Sequence, residues 1–262
     1  MFAPRACGGI VSHIYAEHVL SYGGGVNSTA LAIRLINEGW DGPIVFCDTR
    51  CEWPDTYCFI DYFEREWLAP RGQRIERLDG EWIEPSMRPG LIEYCELAAK
   101  IPLAAIRWCT MSYKVRPLYK WMKEHGYEPE ERLIGIAADE AHRQKGRICP
   151  LIDWGIDRAG CVAIIQAEGL DVPRKSGCYI CPFQRSSQWR ELWQRWPELY
   201  ARVDALEASV ERKLPGYHRA TLDPSGKLTL ADRRLVFEAQ DRLIDDMTMD
   251  ALLAYKPCEC GL

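Results

Sequence analysis

The stretch SYGGGVNSTALAIRLINEG, Ser21 to Gly39, sets three consecutive glycines between a β-like run and a helix. HVLSY, His18–Tyr22, reads as a buried strand, and Asn27 to Asn37 reads as a helix capped by Asn27 and Ser28 and stopped at Gly39. Glycine is entropically costly to order, so three in a row need a physical reason. At the carboxyl end of a first strand, glycine lets backbone amides approach an anion closely, and the helix start adds unpaired N–H groups and a partial positive charge. Gly23, Gly24 and Gly25, with the hydroxyls of Ser28 and Thr29, therefore form a candidate phosphate cradle. A side chain at Gly24 is expected to fill the space the phosphates need. The loop is not of the Walker type, because the glycine–lysine–serine ending is absent. A dinucleotide fingerprint competes: Gly23 and Gly25 fit its first two glycines, and Asp48 ends the second strand where a ribose-binding acid would stand. Ser28, however, replaces the third glycine. A tight turn with no ligand is the bland alternative.

Outward from this loop, strands alternate with helices. GPIVFCD (Gly42–Asp48) reads as a second strand, WPDTYCFIDYFEREWL as a helix with Pro54 in its first turn, and Arg74–Leu78 as a third strand. Ser112 to His125 reads as a helix and Arg132–Ala138 as a further strand. Strands spaced by such helices predict an α/β fold, a Rossmann-like parallel sheet with helices on both faces and right-handed crossovers. Beyond Pro182 the strand signals fade, and RSSQWRELWQRW, PELYARVDALEASVERKL and LADRRLVFEAQDRLIDDM read as helices. The expected division is residues 1–175, a nucleotide-binding α/β domain, and residues 176–262, a cysteine-pair segment with a mostly helical C-terminal region.

The chain has 262 residues, 47% of them hydrophobic and 27% charged, which suits one large domain or one domain with an appendage. No apolar run approaches the ~18 residues of a membrane span, and the first residues lack a signal-peptide core, so no membrane partner and a cytoplasmic location are expected. A net charge of −5 argues against indiscriminate coating of nucleic acid. Twelve cysteines are many for this length. In a reducing compartment they point to metal binding or thiol chemistry, with about half expected to be buried small hydrophobes.

Five stretches, in order, resemble the phosphoadenosine phosphosulfate (PAPS) reductase family within the PP-loop ATP pyrophosphatase superfamily. SYGGGVNST is similar to that family's serine–glycine–glycine–x–aspartate–serine loop, which brings Ser21 into the nucleotide-binding set. CDTRCEWPDT is similar to the segment after the second strand, through Asp48, Thr49, Glu52, Pro54 and Thr56. RWCTMSYKVRPL resembles the cysteine motif with its Lys-Val-x-Pro-Leu ending, GIAADEAHRQK the Asp-Glu stretch, and SGCYICPF the later cysteine pair. The matches run from about residue 18 to 184. The resemblance implies an adenine nucleotide, ATP foremost, bound by Ser21, Gly23, Gly24, Gly25, Asn27, Ser28, Thr29, Asp48, Lys114 and Arg143, with Asp48, Asp139 and Glu140 in catalytic roles. Asp139 or Glu140 would ligate magnesium or hold a ribose, and Arg143 would pair with phosphate. Asn27 stands where the family's loop carries aspartate, which removes a charge that would help hold magnesium.

Cys178 and Cys181 form a C-x-x-C pair, a spacing shared by metal sites and redox pairs. In the iron–sulfur branch of the resembled family, cysteines from both motifs share one cluster. Here that implies Cys109, Cys178 and Cys181 as ligands of a 4Fe-4S cluster, since Trp108 occupies the position of a second cysteine beside Cys109. Cys149, Cys161, Cys258 or Cys260 would be the fourth ligand, and zinc is the alternative metal. The last residues, Glu259, Cys260, Gly261 and Leu262, resemble the reductases' carboxyl-terminal motif, whose cysteine attacks the sulfonucleotide.

Three functions follow from the resemblance. The first is adenylation-dependent sulfur transfer, drawing on a sulfur donor and reaching an acceptor of nucleic-acid type. The second is sulfonucleotide reduction with Cys260 as nucleophile and a thioredoxin-like reductant. The third is a nucleotide- or cluster-sensing module without turnover. Arg185, Arg190, Arg195 and Arg202 among Trp189, Trp193 and Trp196 offer phosphate and base contacts for a nucleic acid, although the tryptophans also carry the spacing of a buried helix face. The sequence leaves the oligomeric state open.

Overall fold

The computed structural model describes residues 14–213, 221–223 and 227–254. By internal contacts the chain divides into two units, one made of the residues up to Tyr94 together with Arg107–Tyr179, the other of Cys95–Ile106 with the residues from Ile180 onward.

In the first unit, four short strands form a wholly parallel sheet in the order β3-β2-β1-β4. They are β1 (Val19–Tyr22), β2 (Ile44–Cys47), β3 (Ile75–Leu78) and β4 (Arg132–Ile134). Leu20 pairs with Ile44 on one side and Leu133 on the other, and Phe46 pairs with Arg77. β2, IVFC, is buried along its whole length because both of its faces are covered, whereas β3, at the sheet edge, carries Glu76 and Arg77. One face carries Leu20, Tyr22, Ile44 and Phe46 into a core shared with α1 (Val26–Asn37), α2 (Pro54–Phe63) and α5 (Arg158–Ala167). The other carries Val19, Val45, Cys47 and Leu78 against Leu118, Trp121 and Met122 of α4 (Arg116–Glu124). The expected α/β architecture, with helices on both faces of a parallel sheet, is the one observed.

The differences have local causes. α1 begins one residue early, at Val26, with Gly25 rather than Asn27 at its cap position; the Ser28 hydroxyl reaches back and accepts from the Gly25 amide at 3.3 Å. β4 stops at Ile134 instead of running on to Ala138. At Gly135 the backbone lies against the first turn of α1, and a Cβ there would stand 2.7 Å from Ser28 N and 2.9 Å from Asn27 C. The predicted helix over Ser112–His125 contains a π-helical turn at Met111–Val115 ahead of α4.

The second unit contains α6 (Ser186–Arg195), α7 (Pro197–Lys213) and α8 (Leu230–Ala254), as the sequence predicts; α3 (Leu91–Ala98) passes from one unit into the other. Within the second unit Trp189, Leu192, Tyr200, Val203, Leu206 and Leu230 are buried. The buried Glu207 carboxylate accepts from the amides of Leu222 and Leu230 at 2.7 and 2.6 Å, closing the loop between α7 and α8. Among the described residues no helix is long and apolar enough to cross a membrane.

Because Gly135 meets backbone rather than a flexible side chain, Gly135→Ala is expected to push α1 off the sheet edge and lower stability by roughly 1–3 kcal/mol, the range of overpacked cores. Urea unfolding of the variant checks this; an unchanged midpoint contradicts the close approach.

Candidate functional site

All the groups around the glycine loop belong to the first unit and sit beyond the carboxyl ends of β1, β2 and β4, the edge at which open parallel sheets bind ligands. The three glycines do different work. Gly24 takes φ +68°, and a Cβ there would lie 2.9 Å from Ile60 Cδ1 and 3.0 Å from Thr56 Cγ2. Its lack of a side chain therefore serves packing against α2, since a Cβ there would crowd Ile60 and Thr56. At Gly25 a Cβ would meet Ser176 Oγ at 2.6 Å. At Gly23 it would meet only Ser28 Oγ, at 3.9 Å, so Gly23 is the glycine that borders open space.

Ser28 Oγ accepts from the amides of Gly23 and Gly25, both at 3.3 Å, and donates to the Gly25 carbonyl at 3.1 Å. Bonds that long are weak and leave the amides able to turn to a better acceptor. The Gly24 amide has no acceptor among the described residues, and the first-turn amides of α1 have none within the helix. Thr29, by contrast, is fully buried and bonds the Tyr22 hydroxyl at 3.1 Å behind the loop. Ser21 lies within β1, paired with Val45 and Ile134.

A polar network closes the far side of the loop. Asn27 donates from Nδ2 to Glu140 Oε2 at 3.3 Å and accepts at Oδ1 from Arg158 Nη1 at 2.9 Å. Glu140 also accepts from Arg143 at 2.5 Å. Asp139 accepts from the backbone amide of Arg158 at 3.1 Å. The structure thus brings Asn27, Ser28, Asp139, Glu140 and Arg143 together at the start of α1, and adds Arg158. Sequence reading missed Arg158 because it lies at the first position of a helix 131 residues away from Asn27; its one local signal is the Asp157 cap ahead of it, which accepts from Gly160 N at 2.7 Å.

The other predicted residues fall elsewhere on the same edge. Asp48, just past β2, accepts from the Arg50 amide at 2.7 Å and the Tyr57 hydroxyl at 2.6 Å. Burial, then the bond to Asp48, pushes the Tyr57 hydroxyl well above its ordinary pKa, so it remains a donor. Lys114, on the π-helical turn, is held by Glu52 at 2.7 Å; the Glu52 side chain is 1% exposed and that of Lys114 38%. Burial works against the Lys114 charge, but Glu52 and Cys178 outweigh it and its pKa rises. Glu52 Oε1 also accepts from Thr49 at 3.3 Å and from the Cys178 thiol at 3.6 Å, while its Oε2 is buried with no hydrogen-bond partner among the described residues. Cys178 is fixed there by antiparallel pairing between Glu52 and Cys178, with Trp53 N to Gly177 O at 3.0 Å and Tyr179 N to Cys51 O at 2.9 Å.

Among the described residues no group of three or more His, Cys, Asp or Glu side chains stands together as a metal ion requires. Burial raises the Cys178 thiol well above its usual pKa, Glu52 adding to the effect, and burial likewise raises Cys109. Cys109 and Cys178 are thiols in this protein, and a metal or cluster would bind them as thiolates. Cys181 belongs to the second unit. Cys149 and Cys161 are fully buried, and burial pushes Cys161 up to about 11. Cys258 and Cys260 lie outside the described residues. In the second unit, Arg190 binds Gln240 and Asp241, Arg195 binds Glu191, and Arg202 binds Glu96, while Trp189 is in the core.

No family model matches the chain. It is 26% identical over 212 residues to the uncharacterized protein MJ0973 of Methanocaldococcus jannaschii, covering 71% of this chain and 47% of that one. It is 24% identical over 205 residues to the uncharacterized protein MJ0066 of the same organism, covering 70% and 39%. The chain therefore spans less than half the length of the curated relatives it matches. Among solved structures it is similar to the phosphate complex of a PAPS reductase from Candida auris, at 18% identity and a TM-score of 0.44, over 61% of this chain and 80% of the other.

Removing the Lys114 cation should strand the Glu52 carboxylate. Lys114→Met is expected to cost roughly 2–3 kcal/mol, below the figure for a fully buried pair because the lysine is partly exposed. The double variant Glu52→Gln/Lys114→Met should regain most of that in denaturant titrations. Equal loss in the single and double variants contradicts the pairing.

Proposed function

We propose that this chain is an adenine-nucleotide enzyme that holds its nucleotide's phosphates at Gly23–Gly25 and the first turn of α1. The observation that carries this reading is the loop itself. Among the described residues the Gly24 amide has no acceptor, the Gly23 and Gly25 amides are held by long bonds to Ser28, and Gly23 borders open space. Unpaired backbone donors at a helix start are suited to phosphate oxygens. The order of the five sequence motifs supports adenine as the base.

The reaction we assign is adenylation ahead of sulfur transfer. An acceptor oxygen attacks the α-phosphorus of ATP, the bond to the bridging oxygen breaks, and pyrophosphate leaves with the electron pair. A sulfur nucleophile from an external donor then displaces AMP. The loop amides and Ser28 offset the charge that builds on the phosphates, and Arg143 and Arg158 add cations to the same edge. The Glu-Cys-Gly-Leu ending favours a second reading, sulfonucleotide reduction with Cys260 attacking sulfur, and that residue lies outside the described ones. Pyrophosphate release from ATP marks the first reaction and sulfite release the second; nucleotide binding with neither product marks a binding module.

Gly23→Val should fold normally, because its side chain enters open space, and should lose ATP binding in titration calorimetry. Ser28→Ala should lower affinity by about 1 kcal/mol through a lost phosphate hydrogen bond. Wild-type affinity in Gly23→Val would return the glycines to turn duty.

A further inference from the structure

Resting on the nucleotide reading above, we propose that Arg158 serves as a built-in counter-cation of the phosphate cradle, so that the chain binds a nucleotide's phosphates without a divalent metal. Arg158 opens α5, a helix of ten residues, and its guanidinium crosses to the second residue of α1, where Nη1 donates to Asn27 Oδ1 at 2.9 Å. Asn27 is 9% exposed and engaged on both sides, its oxygen by Arg158 and its amide nitrogen by Glu140. A metal ion taking that oxygen would sit against the guanidinium that already holds it. The neighbouring carboxylates already accept hydrogen bonds, Asp139 from the Arg158 amide and Glu140 from Asn27 and Arg143.

The two arginines of this edge differ in charge balance. Arg143 is ion-paired with Glu140. The Arg158 guanidinium has no carboxylate within ion-pair distance among the described residues, and its neutral partner Asn27 fixes its position. A fixed, exposed guanidinium one side chain away from an anion-binding helix start has the fork geometry that phosphate accepts. An asparagine supports this arrangement where an aspartate would not, since an aspartate would neutralise Arg158 and invite a metal.

Calorimetry of the full chain with ATP, in magnesium and in excess EDTA, tests this. Wild type should bind with affinities within about threefold of each other in the two buffers. Arg158→Ala should lose about tenfold or more in EDTA, the size of a charge-assisted hydrogen bond, with its circular dichroism and unfolding midpoint close to wild type. Asn27→Asp/Arg158→Ala should bind in magnesium and not in EDTA. Wild-type binding that vanishes in EDTA, or an Arg158→Ala variant that binds as wild type does, overturns the role of Arg158 and leaves the nucleotide reading standing. Failure of wild type to bind in either buffer overturns both.

Discussion

The close approach of Gly135 to the first turn of α1 is the constraint on which the rest of the site depends. It brings the end of β4 within backbone contact of Asn27 and Ser28, which ends the strand early and delivers the next segment, with Asp139, Glu140 and Arg143, to the start of α1. A side chain at 135 would separate the two. The sheet order makes this possible, since β1 lies between β2 and β4 and its loop opens between their carboxyl ends. The glycines of the loop act on the other flank. Gly24 lets α1 pack against Ile60 and Thr56 of α2, and Gly25 makes room for Ser176. Two of the three thus hold the loop in shape, and the third leaves a side of it open.

A second cluster stands apart from the loop along the same edge. Glu52, Lys114, Thr49 and Cys178 share a buried set of hydrogen bonds just beyond β2. Its charge pair ties the π-helical turn of Lys114 to the segment after β2, and strand-like pairing ties Cys178 to the same segment. Such a pair gives weak net stability and strong positional definition, because displacing either partner leaves a charge in a poor dielectric. Cys178 is therefore held in place by Glu52 and Thr49.

The parallel sheet was legible in the sequence because short strands, β1 and β2 most clearly apolar, are set off by glycine or proline and alternate with helices that carry apolar stripes. Where each strand ends was less legible: Ile136 and Ala137 look like strand and are buried, yet backbone contact at Gly135 turns the chain first. The motifs located the loop, Asp139, Glu140 and Arg143. They assigned Lys114 to the nucleotide, and nothing in RWCTMSYKVRPL reveals that Glu52, 62 residues earlier, holds its ammonium. Arg158 was invisible for the same reason, being a long-range partner on a helix whose own sequence is unremarkable. The tryptophan spacing on α6 favoured a core face, and Trp189 lies in that core.

The central claim is that the open side of the glycine loop receives phosphate. Amide hydrogen exchange on the full chain, with and without ATP, reads it directly. The account predicts slowed exchange confined to the Gly23–Ser28 amides and the neighbouring Asp139–Arg143 segment. Unchanged exchange at Gly24 and the first turn of α1, under conditions where ATP is bound, would contradict it.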